Sequence, residues 1–284
     1  MEEFRADLHC HTTCSDGTVS PRDIIQLASD IGLQGLSITD HDTIAAYEEA
    51  IPAAHAKKLL LISGLELSAT HRQTSVHILA YSFSLASAII RDFCQRHQQR
   101  RQLRNQTILH LLNLQGLPLS LDNLTQDLPF SSSTHSIGRP HIALAMVRKG
   151  YVRTIQQAFH EYIGEGKPCY APGAAFSVEE TLEVIHKANG LAMIAHPHLI
   201  ENVGILKDLL NMNFDGIEGY YARFPPSAHE RWLKIGAHKR WMITGGSDFH
   251  GAIKPNIPLG SSWVQAETFA ILQQRFQDNQ QPVL

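Results

Sequence analysis

Cysteine is scarce, with four residues in 284, at positions 10, 14, 94 and 169. Neither that number nor that spacing suits a disulfide scaffold or a paired-thiolate zinc knuckle. Cys10 and Cys14 sit in a histidine-rich stretch but are read as space-filling residues, because imidazole and oxygen donors around them are more numerous. Long apolar runs are also missing: none approaches the roughly 18 residues of a helical membrane span, so no membrane partner is expected. The opening "MEEFRADLHC" is acidic and polar, unlike a secretory leader, and the expected location is cytoplasmic. Charge is sparse at 18%, yet 43% of residues are hydrophobic, which supplies a core and excludes a disordered chain. At 284 residues one large α/β domain, or a domain with a sizeable insertion, is the expected scale.

What the chain has in excess is histidine: 17, against 24 Lys plus Arg. The stretch "DLHCHTTCSDGTVSP" follows the first strand-like segment, and His9 and His11 lie two apart, so on a strand they face the same way. Two buried imidazoles on one face are costly without a partner, and a metal ion would be one. The net charge of −3 hides an asymmetry, since residues 91–153 hold nine Lys or Arg and three acids. That basic segment on an otherwise acidic chain suggests an anionic substrate, although a solvated helix face would read the same way.

Strand-like runs recur at 5–11, 35–41, 59–68, 75–83, 191–197, 215–221 and 240–248. Between several of them lie helix signals. Ser20-Pro21 with Asp23 reads as a cap, a first-turn proline and a helix-favouring acid; Ser177 with Glu180 reads as a capping box. Strands alternating with helices predict an α/β fold with a mainly parallel sheet, open or closed as a barrel. Residues 85–175 break the rhythm, with helical stretches and no clear strand, and are expected to form a helical insertion that carries the basic excess.

Polar residues gather near the strand ends: His9 and His11 then Asp16, Asp40 and His41 in "TDHDT", and Glu66 in "GLELS". The fourth strand carries His77, the fifth ends in His196 and His198, and the seventh in Asp248 and His250. In parallel barrels the C-terminal rim is where sites are built. Each signal alone has an ordinary explanation: a core histidine for His77, a helix cap for Asp42 or Thr43, an arginine partner for Glu66. Together they point to a metal cage. His9, His11, Asp16, His41, Glu66, His77, His196, Asp248 and His250 are too many for one ion and suit two or three divalent metals. Such ions, about 4 Å apart, lower the pKa of a water and clamp both ends of a phosphoryl displacement. Imidazole and carboxylate without thiolate favour Mn, Fe or Zn.

The motifs "DLHCHTTCSDG", "ITDHDT", "GLELS", "AHP" and "SDFH", in this order over most of the chain, resemble those of the PHP (polymerase and histidinol phosphatase) superfamily of metal-dependent phosphoesterases. The resemblance implies a distorted seven-stranded (β/α) TIM-like barrel, formed by 1–84 and 176–284, with 85–175 as a substrate-binding lid. It implies a trinuclear site, with Mn2+ the first choice: His9, His11, Glu66 and Asp248 for one ion, Glu66, His77 and His196 for a second, and Asp16, His41 and His250 for a third. Asp40 would stand behind the ligands or carry a proton. Some relatives have histidine where this chain has Asp16, which leaves the third site's metal preference open. "SIGRPHIALAMVRKGYV" and "GIEGYYARF" resemble the subgroup that removes the 3′-phosphate of 3′,5′-nucleoside bisphosphates and degrades RNA 5′→3′ from phosphorylated ends, ribosomal RNA 5′ ends included.

On this reading RNA 5′ ends and nucleoside bisphosphates are the substrates, and no obligate protein partner is expected. Arg139 in "GRPH" is the first choice for a second phosphate, since its fork matches phosphate bidentately; Arg223 is the next. His198 is a candidate for contacting the substrate and protonating the leaving oxygen. Arg91–Arg104 would guide downstream phosphates without reading bases, as no aromatics interleave there; Tyr220, Tyr221 and Phe224 are the aromatic candidates for a base. The alternatives are a histidinol-phosphate phosphatase or other small phosphomonoesterase, which would not need a basic insertion, a proofreading DNA exonuclease, which would accompany a polymerase, and a non-catalytic nucleic-acid-binding module, which should have lost ligands.

Overall fold

The computed structural model describes residues 3–125, 136–172 and 176–280; parts of the expected insertion, at 126–135 and 173–175, lie outside the described residues. The chain divides into two compact units, Met1–Phe93 with Phe176–Leu284, and Cys94–Ala175.

The first unit is a seven-stranded sheet whose strands follow chain order: β1 (Ala6–Asp7), β2 (Gly35–Ile38), β3 (Leu60–His71), β4 (Thr74–Tyr81), β5 (Leu191–Ile194), β6 (Gly216–Tyr221) and β7 (Met242–Gly246). The ends meet. Leu8 N–H donates to Gly245 O at 3.2 Å, Asp248 N–H to His9 O at 2.7 Å and His11 N–H to Phe249 O at 2.9 Å, so the sheet nearly closes into a barrel. A Cβ on Gly246 would stand 2.4 Å from the His9 backbone nitrogen, and only glycine allows this approach. The regular part of β1 is much shorter than the 5–11 run suggested. Beyond Asp7 the chain continues as isolated bridges, such as Cys10 to Phe249.

The expectation of a mainly parallel sheet needs one correction: β4 runs antiparallel to both β3 and β5, while the other neighbours are parallel. The turn between β3 and β4 is only Arg72 and Gln73, far too short for the crossover a parallel pair needs. The reversal carries the N-terminal half of β4 to the rim where the other strands end, and sets His77 opposite Ser68 near the end of β3.

Helices cover the outside where their caps foretell them. Ser20 Oγ accepts from Asp23 N at the start of Pro21–Asp30, and Ser177 Oγ accepts from Glu180 N at the start of Val178–Lys187. Ile24, Ile25 and Ala28 of the first helix pack with Ala50 and Ala54 of Tyr47–Lys57 onto Leu36 and Ile38. Leu8, Ile62, Leu79 and Met193 join Phe269 and Leu272 of the helix Ala266–Gln280 in a second apolar cluster. Strand alternation then places polar residues on the same faces: Ile62 and Glu66 share one face of β3, and His77, Leu79 and Tyr81 one face of β4. Asp42 caps no helix; at φ 57° it accepts from Ser68 N and Oγ.

The second unit has helices at Leu121–Thr125, Arg139–Arg148 and Ile155–Ala158, a π-turn at Phe159–Ile163 and most of the helix Ala88–Leu114. Its own core includes Ile108, Leu112, Leu124, Ile142, Met146 and Ile163. The first turns of Ala88–Leu114 belong to the barrel unit, where Phe93 packs on Phe176 with ring centroids 4.9 Å apart. Among the described residues no helix is long and apolar enough to cross a membrane.

Candidate metal centre

Glu66 is the hub of the strand-end cluster. Its Oε1 stands 2.9 Å from His77 Nδ1 and 2.9 Å from His196 Nε2. Its Oε2 stands 3.3 Å from His9 Nε2, 3.1 Å from His11 Nε2 and 3.4 Å from His41 Nδ1. One buried carboxylate thus turns its two oxygens to two sets of imidazoles, as a bridging ligand would. Asp248 Oδ1 lies 3.4 Å from His9 Nε2, His11 Nε2 and His250 Nδ1. Asp16 Oδ1 lies 3.3 Å from His250 Nε2 and 3.4 Å from His11 Nδ1, with Oδ2 3.7 Å from His41 Nε2.

All nine sequence-selected metal candidates therefore come together, although they are drawn from the whole length of the barrel unit. Three groups offer donor atoms within 4.8 Å of one another: His9, His11, Glu66 and Asp248; His11, Asp16, His41 and His250; and His41, Glu66 and His77. His196 joins Glu66 and His77, with His77 Nδ1 and His196 Nε2 3.3 Å apart. The donor chemistry fits a cation. His9 Nδ1 faces the Glu218 carboxylate at 2.9 Å and Nε2 stands 3.2 Å from His11 Nε2, so a ring that keeps its proton on Nδ1 would offer Nε2 to an ion. Thiolate takes no part: Cys10 Sγ donates to Ser37 O, and burial pushes the Cys14 thiol up to about 12.

Burial opposes protonation of His11, but Asp248 and Glu66 outweigh it and lift the ring to about 9. Burial wins at His41, taking it down to about 3. Burial would raise Asp16 and Glu66, yet the imidazoles around them hold both well below the usual carboxylate range. Asp248 is also held low against burial, by Lys254 foremost.

Behind the donors stand residues that aim them. Asp40 Oδ1 accepts from Thr12 N at 2.8 Å and Ser15 Oγ at 2.5 Å, and Oδ2 from Thr12 Oγ1 at 2.6 Å. These bonds let Asp40 brace the 12–15 loop. Glu218, fully buried, accepts from His196 N at 2.6 Å as well as facing His9. Tyr221 Oη donates to Asp248 Oδ2 at 2.8 Å, and Lys254 Nζ donates to the same oxygen at 2.5 Å. A bulge between Glu218 and Tyr220 makes this possible, because the one-residue shift turns Tyr221 inward and leaves Tyr220 37% exposed.

His198, Phe224, Arg223 and Arg139, also selected from the sequence, lie outside the cluster. His198 is boxed by the rings of Tyr221, Phe224, His229 and Trp232, at 5.3–5.7 Å between centroids. Both of its ring nitrogens are buried without a hydrogen-bond partner, and burial, with His229 and His196, lowers it to about 4. His198 is thus packed among these rings, partly exposed and apart from the nine donors. Phe224 stacks on it and is likewise packing. Arg223 is exposed. Arg139, in the second unit, lies over Phe159 and Tyr170 at 5.8 and 5.4 Å, and burial, with Arg101 adding to it, lowers its pKa.

Sequence reasoning missed Glu218, Tyr221 as an Asp248 donor, and Lys254. Only Glu218 left a signal: a lone acid within the strand-like "DGIEGYY".

The PHP domain model matches residues 7–192. The chain is 30% identical over 272 residues to the 5'-3' exoribonuclease Rnm of Salmonella typhimurium, covering 92% of this chain and 90% of that one. It is 26% identical over 249 residues to the 3',5'-nucleoside bisphosphate phosphatase of Chromobacterium violaceum, covering 86% of each. A crystal structure from Bifidobacterium adolescentis, assigned as a metal-dependent phosphoesterase, superposes with a TM-score of 0.86 at 32% identity, covering 95% of this chain and 96% of that one. With the barrel, the convergent histidines and carboxylates, and this match over most of its length, the chain belongs to the PHP domain family.

Proposed function

We propose that this chain is a metal-dependent phosphoesterase that degrades RNA 5′→3′ from phosphorylated ends and removes the 3′-phosphate of 3′,5′-nucleoside bisphosphates. The observation that carries the reading is the split of Glu66 between His77 and His196 on one oxygen and His9, His11 and His41 on the other. His9, His11, Glu66 and Asp248 would hold one ion, Glu66, His77 and His196 a second, and Asp16, His41 and His250 a third. The nitrogen and oxygen donor set supports Mn2+ first, with Fe or Zn as alternatives. When bound, such ions supply a water of lowered pKa and neutralise charge on the phosphoryl oxygens.

The protein's own part is placement. The Asp40 brace holds the loop that carries Asp16; Tyr221 and Lys254 hold Asp248 so that Oδ1 faces the imidazoles. In the second unit, which we assign to substrate binding, Arg139 would take a terminal phosphate as a rigid fork pre-oriented by Phe159 and Tyr170, with Arg223 the next candidate. A terminal-phosphate contact of this kind would account for both direction and acceptance of a bisphosphate. The relatives named for RNA and for nucleoside bisphosphates support this pairing of substrates. Ribosomal RNA ends and a cytoplasmic setting belong to the same proposal.

The test is a Mn2+-supplemented assay of metal-depleted protein on 5′-phosphorylated RNA, 5′-hydroxyl RNA, adenosine 3′,5′-bisphosphate and histidinol phosphate. Turnover of the first and third, with mononucleotides released from the 5′ end, is expected. Turnover of histidinol phosphate alone would make it a small phosphomonoesterase, and inertness on all four a binding module. Arg139→Ala should raise KM for 5′-phosphorylated RNA at least tenfold and erase its advantage over 5′-hydroxyl RNA; unchanged discrimination would refute the Arg139 assignment.

A further inference from the structure

Glu218 belongs to none of the three donor groups, yet it is a fully buried carboxylate in the middle of β6, between the strands that lead to His196 and Asp248. Among the described residues it has no Lys or Arg partner; its only ionic neighbour is His9. A buried carboxylate is costly unless its charge is used, and a neutral Gln of the same shape would fill the space more cheaply. Its two oxygens are divided. Oε1 stands 2.9 Å from His9 Nδ1, and Oε2 accepts from the backbone N–H of His196 at 2.6 Å.

Each bond does a separate job. The first would keep the His9 proton on Nδ1 when an ion is bound, leaving Nε2, which faces Glu66 and Asp248, to ligate it. The second anchors a residue in a disfavoured conformation, since His196 has φ 25° and ψ 59°. Ala195, just before it, belongs to the apolar cluster with Met193. Regular alternation would turn His196 to the opposite face, and the backbone turn swings its ring to Glu66 instead.

We infer that Glu218 is a positioning residue that orients ligands of two metal positions at once, His9 for one and His196 for the other. This rests on the metal reading above. The coupling follows from the geometry: a Gln here can accept one of the two bonds through its oxygen but presents an N–H to the other donor, so one ligand is lost to either orientation.

The experiment is Mn2+ binding to the metal-depleted full chain by calorimetry, with stoichiometry by elemental analysis, for wild type, Glu218→Gln and Glu218→Asp. The expected result is a fold in Glu218→Gln indistinguishable from wild type by circular dichroism, with Mn2+ affinity weakened 10–100-fold. Its hydrolysis should recover with excess Mn2+ while KM for substrate stays at the wild-type value. Glu218→Asp keeps the charge but not the reach and should fall between the two, which serves if the Gln variant folds poorly. Wild-type affinity in Glu218→Gln, or lost activity that excess Mn2+ does not restore, overturns the inference. Absence of Mn2+ uptake by wild type overturns the metal reading itself, a separate outcome.

Discussion

Tyr47 gives a sharp test of how the barrel holds its site. β2 and β3 pair from Gly35 with Leu60 to Ile38 with Ser63, then part, and meet again only at the His41–Glu66 bridge. The Tyr47 hydroxyl fills the gap. It accepts from Gly64 N at 2.6 Å and lies 2.8 Å from Ile38 O and 2.9 Å from Ile62 O. Burial pushes the phenol pKa up, so the proton stays and is donated to one of the two carbonyls. Tyr47→Phe therefore removes two hydrogen bonds from a dry interior. The orphaned Gly64 N–H costs about 2 kcal/mol and the carbonyl about 1 kcal/mol. A total near 3 kcal/mol corresponds to a melting temperature lower by about 6–12 °C for a chain of this size.

The assay is thermal unfolding by circular dichroism of metal-depleted protein in chelator, so that ion binding does not mask the loss. A fall of less than about 2 °C would refute the reasoning, because it would mean that the parted strands rejoin without the hydroxyl. If they do rejoin, the His41–Glu66 register moves with them, and Mn2+ uptake should weaken even though stability is kept. A loss of stability with intact uptake fits the plug as described. Loss of neither would remove Tyr47 from the account.

Other consequences follow from the same geometry. Asp248→Asn should reduce hydrolysis to background: Tyr221 and Lys254 both donate to Oδ2, so the amide oxygen settles there and its NH2 faces His9 and His11, where a lone pair is needed. An Asn variant retaining more than about a tenth of wild-type turnover would show that Oδ1 is not used. His198 is lowered to about 4 in the fold from an ordinary 6.5, so below pH 6.5 the unfolded chain takes up a proton that the folded chain refuses. Its contribution is fully present above pH 6.5 and is lost as pH falls toward 4. Screened at a partly exposed ring, the loss should be about 1 kcal/mol, and His198→Phe should flatten the urea-midpoint slope across that window; an unchanged slope would refute the assignment.

How much of this could be read from the chain depends on the reach of each pattern. All seven strands were legible because hydrophobic runs bounded by caps and glycines are local signals, and so was the convergence of the nine candidate side chains, because they cluster at strand ends. The reversal of β4 is also written in the sequence: six residues between "GLELS" and "SVHIL" cannot cross a sheet, so the two strands form a hairpin. Asp40 and His41 are neighbours just past β2, and neighbours in extended chain face opposite ways, so only one of them could join the cluster. What no local pattern carried was the bulge beyond Glu218. Alternation would send Tyr220 inward; one extra residue sends Tyr221 instead, and a hydroxyl from β6 then fixes a carboxylate on the segment after β7. Lys254 and Glu218 share this character. Their partners lie across the sheet or beyond a turn, and their value comes from aiming another residue's lone pair, which neither composition nor spacing records. The donors of such a centre are legible because coordination chemistry restricts their identity to a few side chains. The residues behind them are restricted only by where the backbone happens to pass.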